Sequence, residues 1–301
     1  MAIVNSRAAI EPKTGKAAIF VNETIHSLIR KLFANNEQGF AYDPNDLTTM
    51  FQDAAGTIPV TGAGQAVGLM LDKSKGLRKG ANLVPQKSFA EGTAGWTLQS
   101  VWTFTGDKVI CNGSTSLLLL NTKFVLGKRY RITIAATRTS TSGTLSIRNG
   151  ATVASEIATI QATGIEVIER NVHVSDNNSP HIYFLSQGWV GEIISISIEE
   201  IAGNHAYQTT ASMRPILQDA PRRIDFDAID DKLITNLPAQ LTGCTVVRSV
   251  PNVGTQILTG QTIPATYEDN KDHCGLIVIN RALTTTETSQ ITKLFNKAAG
   301  V

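Results

Sequence analysis

YDPNDLTTMFQDAAGTIPVTGAGQAVGLMLDKSKG, residues 42–76, is an ordered run of short signals with too little apolar material to bury a core of its own. Asp43 suits capping of backbone donors, Pro44 suits a first helical position whose N–H needs no partner, and Asp46 favours the positive end of a helix. The spacing of Leu47, Met50 and Phe51 predicts a short helix with one apolar face, ended by Gly56 and Pro59. Val67, Leu69 and Leu71 then alternate as a strand would. A segment built this way must lean on another surface.

Immediately upstream, Ile25, Leu28, Ile29, Leu32 and Phe33 recur at the i, i+3, i+4, i+7, i+8 spacing of an amphipathic helix, with Asn22 placed to cap it and Asn35-Asn36 to end it. The opposite side carries Glu23, His26, Arg30 and Lys31. Two readings of the apolar face are open: an anchor attaching the chain to an assembly, and packing onto the chain's own domain. The order of Tyr42-Asp43-Pro44, Asp46-Leu47, Met50 through Thr57, Pro59-Val60-Thr61, Gly64-Gln65 and Val67-Gly68-Leu69 resembles a module in structural proteins of tailed bacteriophages, of tail, fibre, baseplate or decoration type. The resemblance implies a virion component and no reaction. With it, residues 1–80 are expected to form a helical and extended docking region, with Ile25, Leu28, Ile29, Leu32, Phe33, Leu47, Met50 and Phe51 as the assembly anchor.

The chain has 301 residues, enough for two folded units plus connectors. Charged residues make up 17% and aromatics 6%, and Thr, Ser, Ile, Val and Ala are abundant, which favours strands. A net charge of +2 is too small to attract nucleic acid or an anionic membrane by bulk field, so partners must be recognised locally. No secretory start and no membrane span is legible, so synthesis in the cytosol is expected. Cys111, Cys244 and Cys274 are odd in number and lack metal spacing, which speaks against a disulfide framework or zinc site; no cofactor is expected.

From Asn82 the pattern turns to short strands. Tyr130, Ile132, Ile134 and Ala136 alternate with Arg129, Arg131, Thr133 and Ala135, while Ser142-Gly143 and Asn149-Gly150 mark hairpin turns. Ile194, Ile196 and Ile198 close a unit assigned to residues 81–203. Its opening, Asn82-Leu83-Val84 leading to Phe89, Gly92, Gly95 and Trp96, and its closing strand Gly191 to Ile198 resemble galactose-binding-like jelly-roll domains, which implies a β-sandwich. In residues 204–301, Ile224-Asp225-Phe226-Asp227, Asp230 to Leu233 and Cys274 to Leu283 look like the two ends of a concanavalin-like sandwich. Roughly 40 residues separate these pieces, too few for a complete sandwich at ordinary strand and loop lengths. A reduced β unit is therefore expected, ending in a helix capped by Thr284 and Glu287 with Ile291, Leu294, Phe295 and Ala298 on its apolar face.

The candidates for chemistry are sparse. Asp225, Asp227, Asp230 and Asp231 offer oxygen ligands but without an EF-hand loop, and alternation places Asp225 and Asp227 on one side of a strand. His26, His173, His181, His205 and His273 are dispersed, and no Gly-x-Ser-x-Gly turn accompanies them. Trp96, Trp102 and Trp189 are the ligand candidates, since an indole stacks on a sugar face, and they serve equally as core anchors. Lys73, Lys75, Arg78 and Lys79 lack interleaved aromatics and read as a solvated linker, not a nucleic-acid surface. The reading that follows is a mainly β, non-enzymatic virion structural protein: a jelly roll, an N-terminal docking region and a small C-terminal β unit. It is assembled in the bacterial cytoplasm with other virion proteins and copies of itself. The alternative is a carbohydrate-binding adhesion protein that recognises host surface glycan.

Overall fold

The protein is described from a computed structural model covering residues 8–9, 18–19, 23–86, 88–150, 152–160, 163–173 and 180–301. Along the chain come β1 (Ala8–Ala9), β2 (Ala18–Ile19), helix α1 (Ile25–Leu32), β3 (Gly39–Tyr42), β4 (Met50–Phe51) and β5 (Leu69–Met70). The central region contributes β6 (Lys79–Asn82), β7 (Trp96–Leu98), β8 (Trp102–Phe104), β9 (Val109–Asn112), β10 (Ser116–Leu120), β11 (Arg129–Arg138), β12 (Thr144–Arg148), β13 (Glu156–Ile160), β14 (Gly164–Asn171), β15 (Ile182–Gln187) and β16 (Val190–Ile201). The last third adds β17 (Ala206–Tyr207), β18 (Ile216–Gln218), β19 (Arg223–Asp225), β20 (Leu233–Asn236), β21 (Leu241–Val250), β22 (Gly254–Ile263), β23 (Thr266–Asp269), β24 (Gly275–Ile279) and helix α2 (Thr285–Ala299).

The central region is a two-sheet antiparallel sandwich. One sheet runs β13-β12-β15-β10-β7 and the other β14-β11-β16-β9-β8, with β6 joined to β16. The alternation read along β11 is met: Tyr130, Ile132, Ile134 and Ala136 point into a core shared with Leu118, Leu120, Leu145, Ile147, Phe184, Ile196 and Ile198. The unit is mainly β and of jelly-roll type, as expected.

The second sandwich departs from the expected organisation. A five-stranded sheet, β23-β20-β17-β5-β4, faces a four-stranded sheet, β22-β21-β24-β3. The strands that a 204–301 unit lacks come from residues 39–70: β3 pairs with β24 from Tyr42 opposite Leu276 to Gly39 opposite Ile279, and β5 pairs with β17 through Met70 opposite Ala206. Residues 1–80 and 204–301 therefore do not form a docking arm and a reduced unit. They share one core, in which Phe40, Tyr42, Met50 and Met70 meet Leu233, Val246, Leu276 and Val278. The jelly roll is an insertion into this sandwich, entering and leaving at one point where the Ala202 N–H donates to the Arg78 carbonyl at 2.8 Å.

The short helix expected after Pro44 does not form. A single 3-10 turn, Leu47–Thr49, precedes β4, and Asp46 makes no side-chain cap bond. Asp43 does cap locally, its Oδ1 accepting the Asn45 N–H at 3.1 Å, but its Oδ2 and the Asp46 carboxylate hold the buried Lys73 ammonium at 3.2 and 2.8 Å, so tertiary pairing overrides the helix-start signal. Met50 and Phe51 consequently lie on a strand opposite Met70 and Leu69, not on a helix face.

Helix α1 is capped by Thr24, whose hydroxyl accepts from the Ser27 N–H; Asn22 lies outside the described residues. An eight-residue helix is marginal alone and is held here by packing. Leu28, Ile29, Leu32 and Phe33 are buried, with Ile25 beside them, against Ala41, Val247, Ile277, Ile279, Ile291 and Phe295. Burying four such side chains contributes on the order of 6–12 kcal/mol before ordering costs. Strand β24 thus has both faces covered: Leu276 and Val278 by the opposite sheet, Ile277 and Ile279 by the two helices.

Helix α2 has the expected reciprocal cap between Thr284 and Glu287, and ends at Gly300 in the left-handed conformation. Arg281 reaches both Glu287 oxygens, at 2.7 and 2.9 Å, and its hydrogen bond, with the Thr284 N–H, outweighs partial burial and holds the carboxyl at about 2. A folded-state value below the ordinary 4.5 means this contribution is complete above that pH and fades as pH falls toward about 2. Glu287→Gln is expected to lower stability by about 1 kcal/mol near neutral pH, with the difference from the parent closing in acid. Urea titrations at neutral pH and near pH 2 check this; a gap that stays constant would contradict it.

Candidate functional site

The three indoles expected as ligand platforms are core residues. Trp96 packs on Phe89 and Phe184 with ring centroids 5.4 and 5.6 Å away, and Trp102 stacks on Trp189 at 6.3 Å. Trp189 is 1% exposed, Trp102 5% and Trp96 8%, so none offers a ring face to a sugar. A Cβ at Gly191 would sit 2.6 Å from the Trp189 ring, so the bare backbone there makes room for the buried indole. The anchor residues share this fate. Leu28, Ile29, Leu32, Phe33 and Met50 lie inside the chain's own core, Ile25 and Leu47 are half-buried against it, and Phe51 lies under the Arg129 guanidinium at 4.7 Å. Packing within the domain has satisfied the face that the anchor reading leaves free.

Asp227, Asp230 and Asp231 do converge, with ligand atoms within 4.8 Å of one another. Asp225 stays apart, paired to Arg223 at 2.8 Å at the end of β19, and Asp227 lies beyond that strand. The loop uses its carboxylates on itself: Asp227 Oδ1 accepts the N–H groups of Ile229, Asp230 and Asp231, and Asp231 Oδ2 accepts that of Asp227. The backbone donors lower the Asp227 pKa, while burial raises that of Asp231. This is the arrangement of a turn fixed by aspartate capping.

Two histidines are fully buried. The Asp72 N–H donates to His205 Nδ1, so Nε2 carries the proton and donates to the Ile201 carbonyl at 3.1 Å. Burial pushes the His205 ring down to about 3, so it is a neutral structural crosslink. Asp72 Oδ1 accepts from the Ala41 and Ser74 N–H groups and Oδ2 from Ser74 Oγ and the Asn204 N–H, all within 2.7–2.8 Å. Burial nonetheless leaves its pKa above the ordinary carboxylate value. His273 Nε2 lies 3.1 Å from Asp269 Oδ2, outside hydrogen-bond geometry, and Arg248 Nη2 donates to the other oxygen at 2.6 Å. Burial pushes the Asp269 carboxyl up, and the Arg248 charge with His273 more than reverses this.

An open feature lies where the two sandwiches meet. A cleft of about 680 Å³ is lined by His26, Arg30, Asn36, Lys75, Arg78 and Ala202, with Phe33, Ala34, Ser74 and Gly76. It continues past Asn36, Lys75 and Ala202 into a second groove of about 430 Å³, which reaches Lys128, Asn204 and Leu241. Among the described residues, no carboxylate lines the first cleft. Lys75 Nζ is fixed by two neutral acceptors, Asn36 Oδ1 at 2.9 Å and the Glu37 carbonyl at 2.6 Å, which leave its charge uncompensated. In the second groove Lys128 is instead satisfied by Gly203 O, Asn204 Oδ1 and Glu200. Sequence reasoning saw Lys75 and Arg78 as a linker. It could not join them to His26 and Arg30, because only the fold brings α1 beside the connector.

No family model and no curated protein matches the chain. Among solved structures, the second N-terminal cellulose-binding domain of Cellulomonas fimi β-1,4-glucanase C aligns over 42% of this chain and 98% of its own length, at 17% identity and a TM-score of 0.32. A likeness at that score carries no argument about what this chain binds.

Proposed function

We propose that the chain is a non-enzymatic structural protein of a tailed-bacteriophage particle, partnered there by other virion proteins and by copies of itself. The reading is carried by the residue order of Tyr42–Gly76, which resembles a phage structural module and which supplies β4 and β5 and the Asp72 crosslink of the second sandwich. The likeness therefore falls on residues that build a domain. In this reading attachment does not run through α1, whose apolar face is occupied, and a glycan role would have to use side chains other than the three buried indoles. The test is mass spectrometry of gradient-purified particles of the phage that encodes the chain. The expected result is a fixed copy number per particle, stable to high-salt washing; absence of the chain from intact particles would overturn the proposal.

A further inference from the structure

We propose that the cleft between α1 and the connectors is a binding site for a compact polyanion, a ligand bearing two or more phosphate or sulfate groups. The inference is independent of the virion reading. Its first support is charge without compensation: among the described residues, Arg30 and Arg78 have no hydrogen-bonding or ion-pair partner for their side chains, Lys75 meets only neutral acceptors, and His26 adds an imidazole N–H to the lining. The acids near these groups in sequence are turned elsewhere, Glu23 to Lys31 and Glu37 to Arg281 and the Asn35 N–H. Cations gathered around one concavity repel each other, and a multiply charged oxyanion removes that repulsion while matching the planar forks of two arginines.

The second support is shape. About 680 Å³ lies within the range of small-ligand sites, and Asn36, whose Oδ1 accepts from Lys75, adds its amide NH₂ to the lining as a neutral donor. The third is what the lining lacks. Phe33 in the lining is 5% exposed, so among the described residues the cleft offers no Phe, Tyr or Trp face for stacking bases, as a single-stranded nucleic-acid groove would require. The cleft takes groups from the helix, from the outgoing connector at Ser74 to Arg78 and from the return of the chain at Ala202, so a bound ligand ties the sandwich to both connectors of the insertion.

Isothermal titration of the full chain at low ionic strength with sodium tripolyphosphate, and separately with a trisulfated heparin disaccharide, tests the site. Saturable one-to-one binding is expected with at least one probe; tighter binding of the first assigns a phosphorylated ligand, of the second a sulfated sugar. Arg30→Ala/Arg78→Ala should weaken that binding by at least ~10-fold, as loss of charge-assisted bonds implies, with the melting temperature of the free protein unchanged. Arg78→Gln alone should weaken it less, and Lys271→Ala, an exposed lysine away from the cleft, should leave it unchanged. No saturable binding of either probe, equal binding by the double variant, or tighter binding of a single-stranded oligothymidylate would overturn the proposal.

Discussion

Asp72→Ala is expected to destabilise the second sandwich by about 3–9 kcal/mol while leaving the jelly roll folded. The carboxylate accepts three backbone N–H groups, from Ala41, Ser74 and Asn204, in a site closed to water. Each buried donor left without a partner costs about 1–3 kcal/mol, whereas the Ser74 hydroxyl is free to rotate to another acceptor. The sum is a large part of the roughly 5–15 kcal/mol that holds an ordinary domain. Ala41 lies on β3 and Asn204 precedes β17, so the loss falls where the N-terminal strands are fastened to the C-terminal ones. Hydrogen exchange read by mass spectrometry should show protection lost across 39–72 and 206–279 and kept across 96–201. Unchanged protection in the first two regions would refute the role given to Asp72. Asp72→Asn should lie between parent and Ala, since an amide oxygen can keep two of the donors while its NH₂ opposes a third.

The second expected result concerns fragments. Residues 82–203 made alone should fold, because their core is closed on itself and all three tryptophans lie within it; a native-like, blue-shifted emission reports this directly. Residues 204–301 made alone should not fold. Without β3, β5 and α1 the chain would expose Leu276, Ile277, Val278, Ile279 and Phe295, all fully buried in the whole protein. Five such side chains represent on the order of 8–15 kcal/mol of lost burial. Replacing residues 79–201 by a short Gly-Ser turn should instead leave the second sandwich intact, because Arg78 and Ala202 already touch through a backbone hydrogen bond. A cooperatively folded 204–301 fragment, or a collapsed fusion of 1–78 with 202–301, would remove the case for a split domain.

Local signals were legible where neighbours in sequence decide the outcome. The alternation of Tyr130 to Ala136, the cap formed by Thr284 and Glu287, and the apolar face of α1 are all present in the fold. What the sequence does not carry is pairing at a distance. Tyr42 meets Leu276, and β4 and β5 are two residues each, too short to announce themselves by periodicity. The same gap made the last third look like a reduced unit, when its missing strands stand at the other end of the chain. Trp102 and Trp189 show a different limit: an indole has no sequence mark that separates a core anchor from a ligand platform, and here the two stack on each other. The cationic cleft was hidden because Arg30 reads as the solvent side of a helix and Arg78 as a linker.

The placement of the jelly roll inside the other sandwich also sets a timetable on the ribosome. Strands β3 to β5 leave the exit tunnel early; β17, the partner of β5, follows only after the insertion, and β24, the partner of β3, after more than two hundred further residues, roughly 10–50 s later at ordinary elongation rates. During that interval the inserted domain can complete itself while Phe40, Met50 and Leu69 wait uncovered, so premature termination between Ile201 and Ile279 yields a chain with one finished domain and one adhesive stub.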